Sequence, residues 1–251
     1  MPKVDTSVKE LVGMVARGEL RLPEMQRPYV WPATRVRDLL DSLYRGYPSG
    51  AILVWETDQQ APTRDLAVGQ GLNAFATQRL LLDGQQRVTS LCAVLDGKPV
   101  RVRNRKRPIE ILFNLDHPDG PPVDLTEVVD DSESPILELD DDEPSDDEDT
   151  AEVDIQQRLK RRTFVVSSKQ LLAQANWVKV SDVFAKSDWT LLKPLGLQPD
   201  DSRYENYVQR LQKLRGIQNY PYVMHVLDRQ LSYEEVAEIF VRVNSLPSLP
   251  R

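Results

Sequence analysis

Apolar residues recur at helical spacing in five parts of the chain. The first stripe ends near Val15 and follows a possible capping box that begins at Ser7. The second follows Pro32, which suits the first turn of a helix, and stops at Gly46. The last follows a second capping box, at Ser232. We therefore predict helices after Ser7, after Pro32, at Val88–Leu95, at Tyr204–Leu214 and from Ser232 through Val243.

Short, mostly apolar segments between these helices predict strands, and the two wholly apolar ones, Ala51–Trp55 and Leu80–Leu82, predict buried strands. The segments are Leu20–Pro23, Ala51–Trp55, Leu80–Leu82, Thr163–Val166 and Tyr222–Val226. Two alternating segments, Val100–Arg103 and Ile109–Phe113, flank Asn104–Pro108 as the two strands of a hairpin do. Residues 57–78 have the composition of a polar loop. Strands and helices mixed in this order predict an α+β (mixed α/β) fold.

The acidic residues of the chain are concentrated in one segment. Residues 121–160 contain 16 Asp and Glu against 2 Lys and Arg, and the whole chain has a net charge of −7. Outside this segment the chain is therefore positive and can face an anionic partner such as DNA. Repulsion among the acidic residues favours a disordered insertion or a mobile loop without a specific role, with DNA mimicry or self-inhibition as the alternative. We divide the chain into a core at 1–120, the insertion at 121–160 and the remainder of the same domain at 161–251.

The remaining composition excludes several classes of protein. A single cysteine, Cys92, rules out an internal disulfide and favours a reducing compartment, so we expect a cytoplasmic protein. Two histidines are too few for a His-rich metal site. No apolar run approaches the roughly 20 residues that a membrane helix needs, so no membrane partner is expected. The sequence lacks the G-x-x-x-x-G-K-[ST] pattern, which argues against a P-loop NTPase.

The most informative stretch is a polar turn that reads Asp-Gly-Gln-Gln-Arg at 83–87, between the strand Leu80–Leu82 and a helix. Gly84 permits a backbone conformation that other residues avoid. The backbone amides after it lie at a helix N-terminus, where the helix dipole favours an anion such as phosphate. Arg87 adds a planar donor fork that suits phosphate oxygens. The turn is therefore a candidate phosphate site.

The other side chains of the turn fit hydrolytic chemistry. Asp83 can hold Mg²⁺ through water or position an attacking water molecule. Gln85 and Gln86 can orient that water or hydrogen bond to the edge of a base. The same residues also fit a tight strand-to-helix turn with a capping aspartate and no further role. The residues alone leave both interpretations open.

Two further stretches carry polar residues in unusual places. In Leu22–Trp31, Gln26 and Arg27 are flanked by prolines that stiffen the loop. The two aromatic residues of that stretch either stack on a base or pack into the core. Near the C-terminus, Arg242 and Asn244 interrupt an apolar helix. They either cap that helix or reach a pocket shared with the turn.

Five cations occur within seven residues of the predicted hairpin. They are Arg101, Arg103, Arg105, Lys106 and Arg107. The first two alternate with valines and therefore share one face of a strand, from which they can follow the phosphates of DNA. The alternatives are an edge strand that its charge protects from aggregation, or a surface that docks the acidic segment. We predict DNA binding by these five residues.

Four blocks of the chain, taken together, resemble one protein family. They are Leu22–Trp31, Leu39–Trp55, Leu81–Leu91 and Glu238–Ser245. In this order they are similar to the family that carries the DGQQR motif, whose best-known members are the GmrSD modification-dependent restriction enzymes. The resemblance implies a ParB/sulfiredoxin-like core with added helices, in which the DGQQR loop serves nucleotide binding and hydrolysis. It also implies action on DNA, in defence against phage with modified genomes.

The resemblance also implies which residues form the site. The expected catalytic residues are Asp83, Gln85, Gln86 and Arg87, and Asp83 is also the expected metal ligand. The residues expected to bind the cofactor are Gln26, Arg27, Gly84, Thr89, Arg242 and Asn244. The implied cofactors are a nucleoside triphosphate and Mg²⁺. The implied partners are DNA, in particular modified DNA, and a separate nuclease, and a homo-oligomer is a further expectation.

Two alternatives to an NTP-hydrolysing component stay open. Many family members carry an HNH-type nuclease domain after the fourth block, whereas here the sequence reads Ser-Leu-Pro-Ser-Leu-Pro-Arg at 245–251 and contains two histidines. We therefore expect no DNA cleavage through such a domain. This favours a non-catalytic nucleotide- or DNA-sensing module that works with a separate nuclease. The other alternative is direct phosphodiester hydrolysis at the DGQQR turn.

Overall fold

The computed structural model describes residues 2–24, 26, 29–58, 63–66, 78–95, 109–120, 159–197 and 200–245. For Arg64, Asn244 and Ser245 only the backbone is described. Arg27, the five cations at 101–107 and the acidic segment up to residue 158 lie outside the described residues. Within the described ranges, no helix is both long and apolar enough to cross a bilayer.

The described parts of the chain contain nine strands, eight α-helices and two short 3-10 helices at Lys193–Leu195 and Gly216–Asn219. The strands are β1 (Lys3–Ser7), β2 (Leu20–Pro23), β3 (Ile52–Thr57), β4 (Thr63–Arg64), β5 (Gln78–Asp83), β6 (Ile111–Asn114), β7 (Phe164–Val166), β8 (Trp177–Lys179) and β9 (Pro221–Leu227). The α-helices are α1 (Val8–Ala16), α2 (Ala33–Arg45), α3 (Gln85–Leu95), α4 (Lys169–Leu172), α5 (Val180–Ala185), α6 (Asp188–Leu192), α7 (Ser202–Arg215) and α8 (Tyr233–Ser245). The mixed α/β class predicted from the sequence is confirmed.

The larger sheet gathers strands from both ends of the chain. Its order is β1-β9-β3-β5-β2-β4. Strand β9 is parallel to β3 and β2 is parallel to β5, whereas the other neighbours are antiparallel. The edge strand β1, which pairs Lys3 with His225, was not predicted. Its sequence is mostly polar, because an edge strand with exposed residues needs no apolar pattern.

Strand β5 is buried on both faces of this sheet. The side chain of Leu81 faces the main hydrophobic core, which includes residues of α1, α2, α3, α5 and α7. Leu80 and Leu82 face the other side, where Ile239 and Phe240 of α8 cover them. Successive side chains of a strand point to opposite faces, so a strand covered on both sides reads as an uninterrupted apolar run. This explains the pattern that precedes the DGQQR turn.

The smaller sheet has the order β7-β6-β8 and is antiparallel throughout. Its central strand, β6, was predicted as one arm of a hairpin. In the described residues it pairs Leu112 with Val165 and with Lys179, on strands that come after the acidic segment. The other predicted arm, Val100–Arg103, lies outside the described residues, so the hairpin stays a prediction.

The predicted serine caps are present at two helix starts, and at α8 the full capping box forms. At α1 the Glu10 backbone amide donates to Ser7 Oγ at 3.1 Å. At α8 the bonds are reciprocal: Glu235 donates its amide to Ser232 Oγ at 3.3 Å, and its carboxylate accepts from the Ser232 amide at 2.8 Å. Gly46 ends α2 in the left-handed conformation, with φ of 74°. Local sequence signals therefore set these helix boundaries.

A buried histidine joins α2 to the segment that follows the smaller sheet's central strand. His117 contacts the Pro118 carbonyl oxygen through Nδ1 at 2.9 Å and the Tyr44 hydroxyl through Nε2 at 3.1 Å. A carbonyl oxygen can only accept, so Nδ1 carries the proton and Nε2 accepts from the hydroxyl. Burial lowers the pKa of His117, and the nearby Arg210 and Arg45 lower it further, against the opposing effects of the Pro118 carbonyl and Asp119. The neutral ring is therefore the form that fits the fold.

We predict that acid weakens the fold through His117. The lowered pKa means that the unfolded chain takes up this proton first, as pH falls below its ordinary value of 6.5. The stability from neutral His117 is thus fully present above that value and is lost as pH falls toward the lower folded-state pKa. We expect the free energy of unfolding, measured with urea from about pH 7.5 to about pH 5.5, to fall less steeply with pH for His117→Gln than for the wild type. Equal slopes would contradict the assignment, and comparing slopes removes the packing loss that the variant suffers at every pH.

Candidate functional site

The DGQQR turn connects the end of β5 directly to the start of α3. The first backbone bond of the helix runs from the Val88 amide to the Gly84 carbonyl oxygen at 2.9 Å, so α3 begins at Gln85, three residues earlier than predicted. Gly84 has φ of 96°, in the left-handed region, and a Cβ there would lie 2.5 Å from Ile52 Cδ1. Both the conformation and the close contact require glycine at this position.

Arg87 is directed into the protein. Its Nη1 donates to the Ser49 carbonyl oxygen, and its Nη2 donates to the Ala51 carbonyl oxygen at 2.7 Å. Nη2 also reaches Asp83 Oδ2 at 3.3 Å, and 14% of the side chain is exposed. A Cβ at Gly50, where φ is 86°, would collide with Nη1. The donor fork therefore binds the chain's own backbone here, and its expected contact with phosphate stays a prediction.

Asp83 presents the exposed carboxylate of the turn. Its side chain is 43% exposed, and its described contact is the 3.3 Å bond from Arg87. The described residues hold no group of three or more His, Cys, Asp or Glu that could bind a metal. One carboxylate fits Mg²⁺ that arrives with nucleotide phosphates and water as its other ligands, but does not form an all-protein site. The predicted Mg²⁺ role of Asp83 is compatible with this geometry and stays a prediction.

Two buried glutamines join the turn to the loop before α2. Gln86 accepts at Oε1 from the backbone amides of Val30 at 2.9 Å and Trp31 at 3.1 Å. Gln26 donates from Nε2 to the carbonyl oxygens of two consecutive β5 residues, Leu81 at 2.6 Å and Leu82 at 2.9 Å. The structure thus brings Gln26 and Gln86 to the same junction. In these bonds Gln26 uses its side-chain nitrogen and Gln86 its side-chain oxygen.

The neighbouring side chains of α3 are also buried. Gln85 is 7% exposed and Thr89 is 6% exposed, and Thr89 Oγ1 has no hydrogen-bond partner within the described residues. The Tyr29 hydroxyl lies 2.8 Å from Ser90 Oγ. Burial raises the pKa of Tyr29 to about 12, although the bond to Ser90 acts in the opposite direction. Tyr29 is therefore a neutral, inward-facing side chain, which fits core packing rather than base stacking.

Two expected site residues are on α8, which packs against the opposite face of the sheet. Arg242 is exposed and forms an ion pair with Glu238, one helical turn earlier, at 2.5 Å. This placement does not bring Arg242 into contact with the DGQQR turn. Asn244 lies within α8, and its side chain is outside the description. Arg27 and the cations Arg101, Arg103, Arg105, Lys106 and Arg107 lie outside the described residues, so their roles stay predictions.

Sequence reasoning missed the layer of residues behind Arg87. Ser49 donates from Oγ to the Tyr222 hydroxyl at 2.7 Å, and its backbone amide donates to the Tyr220 hydroxyl at 3.2 Å. The Tyr220 hydroxyl donates in turn to the Tyr47 carbonyl oxygen at 2.9 Å. The local signal was the run Gly-Tyr-Pro-Ser-Gly at 46–50, whose second glycine is needed by the guanidinium of Arg87.

We predict that the same substitution costs much more stability at Gln26 than at Gln86. Gln26→Glu loses both donors and places a buried carboxylate against two carbonyl oxygens, so it should lower the free energy of unfolding by about 3 kcal/mol. Gln86→Glu keeps the acceptor oxygen at the positive end of α3 and should cost about 1 kcal/mol or less. Urea unfolding near neutral pH measures both values.

Gln26→Leu and Gln86→Leu are the matched controls for this pair. Both remove the hydrogen bonds and keep most of the volume, so their losses should be similar, at about 2 kcal/mol. If the two glutamate variants lose equal stability, the assignment of a donor at Gln26 and an acceptor at Gln86 is wrong.

One of the sequence comparisons matches the same family that the four blocks resemble, over a range that contains all four. Residues 8–246 match the family model described as the GmrSD restriction endonuclease N-terminal domain. An uncharacterised protein from Methanocaldococcus jannaschii is 31% identical over 113 residues, which cover 42% of this chain and 20% of that protein. The chain thus matches about a fifth of the length of this relative. Because the family model spans nearly all of the sequence, including the DGQQR turn and α8, the chain belongs to the family of GmrSD restriction endonuclease N-terminal domains.

Proposed function

We propose that this chain is the nucleotide-binding and NTP-hydrolysing component of a DNA-targeting restriction system that defends cells against phage with modified genomes. One observation carries the proposal. The exposed carboxylate of Asp83 stands at the N-terminus of α3, held by a guanidinium that two backbone carbonyl oxygens fix in turn. An acid fixed beside a helix N-terminus suits a magnesium-bound polyphosphate. The membership of the family supports the restriction role.

In this proposal each residue of the turn has a different role. Asp83 holds the metal through water or orients the attacking water molecule, and Gly84 supplies the left-handed backbone conformation of the turn that carries Asp83. Mg²⁺, when bound with the nucleotide, supplies neutralising charge to the phosphates. Arg87 acts by fixing Asp83, since its donors to Ser49 and Ala51 are engaged. Phosphoryl transfer needs mainly positioning and charge stabilisation, and a rigid turn supplies the first of these.

One observation favours a second candidate, a non-catalytic nucleotide- or DNA-sensing module. The guanidinium of Arg87 bonds to protein atoms at both Nη nitrogens. An arginine engaged in this way does not offer those donors to a transition state, whereas binding without turnover does not need them. Such a module would work with a separate nuclease and with modified DNA as its signal.

We predict that Asp83→Asn abolishes turnover and leaves the fold intact. The substitution removes the charge but keeps the shape, and the bond that it weakens is long, so the unfolding midpoint should change little. Phosphate release from a panel of nucleoside triphosphates with Mg²⁺, with and without modified DNA, should fall by about 100-fold or more. Asp38→Asn, which breaks an exposed ion pair with Arg37 on α2, is the control and should retain activity.

The wild-type result separates the two candidates. Nucleotide binding by calorimetry without phosphate release, even with modified DNA present, would select the sensing module. Hydrolysis by Asp83→Asn at the wild-type rate would remove Asp83 from the mechanism.

We also propose that the five cations at 101–107 bind the DNA backbone. Replacement of Arg101, Arg103, Arg105, Lys106 and Arg107 by glutamine should weaken DNA binding and reduce the slope of log affinity against log salt by up to about 4. A control variant neutralises five exposed cations elsewhere: Lys9, Lys169, Lys186, Lys193 and Arg203. Equal effects of the two variants in a salt titration would mean that net charge, rather than this segment, determines binding.

A further inference from the structure

The tyrosines behind Arg87 have no part in the proposed chemistry, yet they fix its geometry. Ser49 is bonded on two sides, from Oγ to the Tyr222 hydroxyl and from its amide to the Tyr220 hydroxyl. Tyr220 is bonded in turn to the carbonyl oxygen of Tyr47. The segment that carries the carbonyls of Ser49 and Ala51 is thus attached to the start of β9. It does not depend on Arg87 alone for its position.

This layer is continuous with the exposed carboxylate. The carbonyl oxygens of Ser49 and Ala51 accept from the two Nη nitrogens of Arg87, which fixes the plane of the guanidinium. The same Nη2 contacts Asp83 Oδ2 at 3.3 Å. A chain of hydrogen bonds therefore runs from Tyr222, which is 1% exposed, to Asp83 at the surface. The partners in the middle of this chain are backbone atoms on a segment that needs glycine at position 50.

The two rings can keep their places without their hydroxyl groups. The ring centroids of Tyr220 and Tyr222 are 5.2 Å apart in an edge-to-face contact, and Tyr222 packs in the main hydrophobic core. Ring packing of this kind contributes independently of the hydroxyl. Phenylalanine at both positions therefore removes the hydrogen bonds to Ser49 while it preserves the apolar contacts. This separates the positioning role from the structural role.

We propose that Tyr220 and Tyr222 are positioning residues for Asp83, acting through Ser49 and Arg87. Their hydroxyl groups hold Ser49, whose segment holds the guanidinium, and the guanidinium sets the orientation of the carboxylate. Outer-shell partners of this kind typically change activity by about 10- to 100-fold when they are removed. The part of the proposal that concerns turnover depends on the function proposed above, whereas the part that concerns Arg87 does not.

The test compares Tyr220→Phe/Tyr222→Phe with the wild-type chain by NMR of the Arg87 guanidinium, without nucleotide. Loss of the two hydroxyl groups should speed the exchange of the Arg87 Nη protons with water by about 10-fold or more, because Ser49 is no longer fixed. Tyr207→Phe is the matched control, since it also removes a buried hydroxyl, which bonds to Asp116 at a distance from the turn. That variant should leave the exchange of the Arg87 protons unchanged.

Turnover gives the second measurement. If the chain hydrolyses nucleotide, the double variant should lower kcat by about 10-fold or more, with KM within about twofold. Faster Arg87 exchange in a chain that shows no turnover would uphold the positioning role and reject the hydrolytic function. Unchanged exchange in the folded double variant would overturn the positioning role. If the double variant does not fold, Ser49→Ala and Ser49→Thr replace it, and equal exchange rates in those two would overturn the proposal.

Discussion

The burial of the Arg87 guanidinium is the constraint on which the arrangement of the candidate site depends. A cation with 14% of its side chain exposed is costly unless its N–H groups are bonded. The acceptors are two backbone carbonyl oxygens and one carboxylate. To supply the carbonyls, the segment after α2 must fold around the guanidinium, and it does so with glycine at position 50. One charge thus contributes, together with the tyrosine contacts of Ser49, to the local path of a distant segment.

The first turn of α3 holds both flanks of α2. Gln86 binds the backbone just before α2, and Arg87 binds the backbone a few residues after it. The apolar face of α2 then packs into the main core between two fixed ends. Three of the four blocks that identify the family meet at this junction, and the fourth packs on the other side of β5. Several residues of the DGQQR motif therefore have a structural role, and this role is compatible with chemistry at Asp83.

A division between buried support and exposed acid is common in enzyme sites. Groups that orient an acid are rigid and shielded, whereas the acid itself must remain accessible. Here the support consists of glutamine, arginine, tyrosine and backbone groups, and the accessible group is one carboxylate. A site of this kind depends on its ligand for further metal coordination and for charge. This is the reason to consider Mg²⁺ and a nucleotide together rather than a metal alone.

The sequence by itself determined the features that depend on neighbouring residues. The helix caps at Ser7 and Ser232, the glycine end of α2 and the buried run before the turn follow from local backbone chemistry and side-chain periodicity. The tertiary structure decided what the polar residues contact. Arg87 finds its carbonyls 36 and 38 positions away, and Gln86 finds its amides 55 and 56 positions away. The periodicity of apolar residues carries no information on such partners. An arginine in a sequence does not reveal whether its guanidinium binds a phosphate or the chain's own backbone.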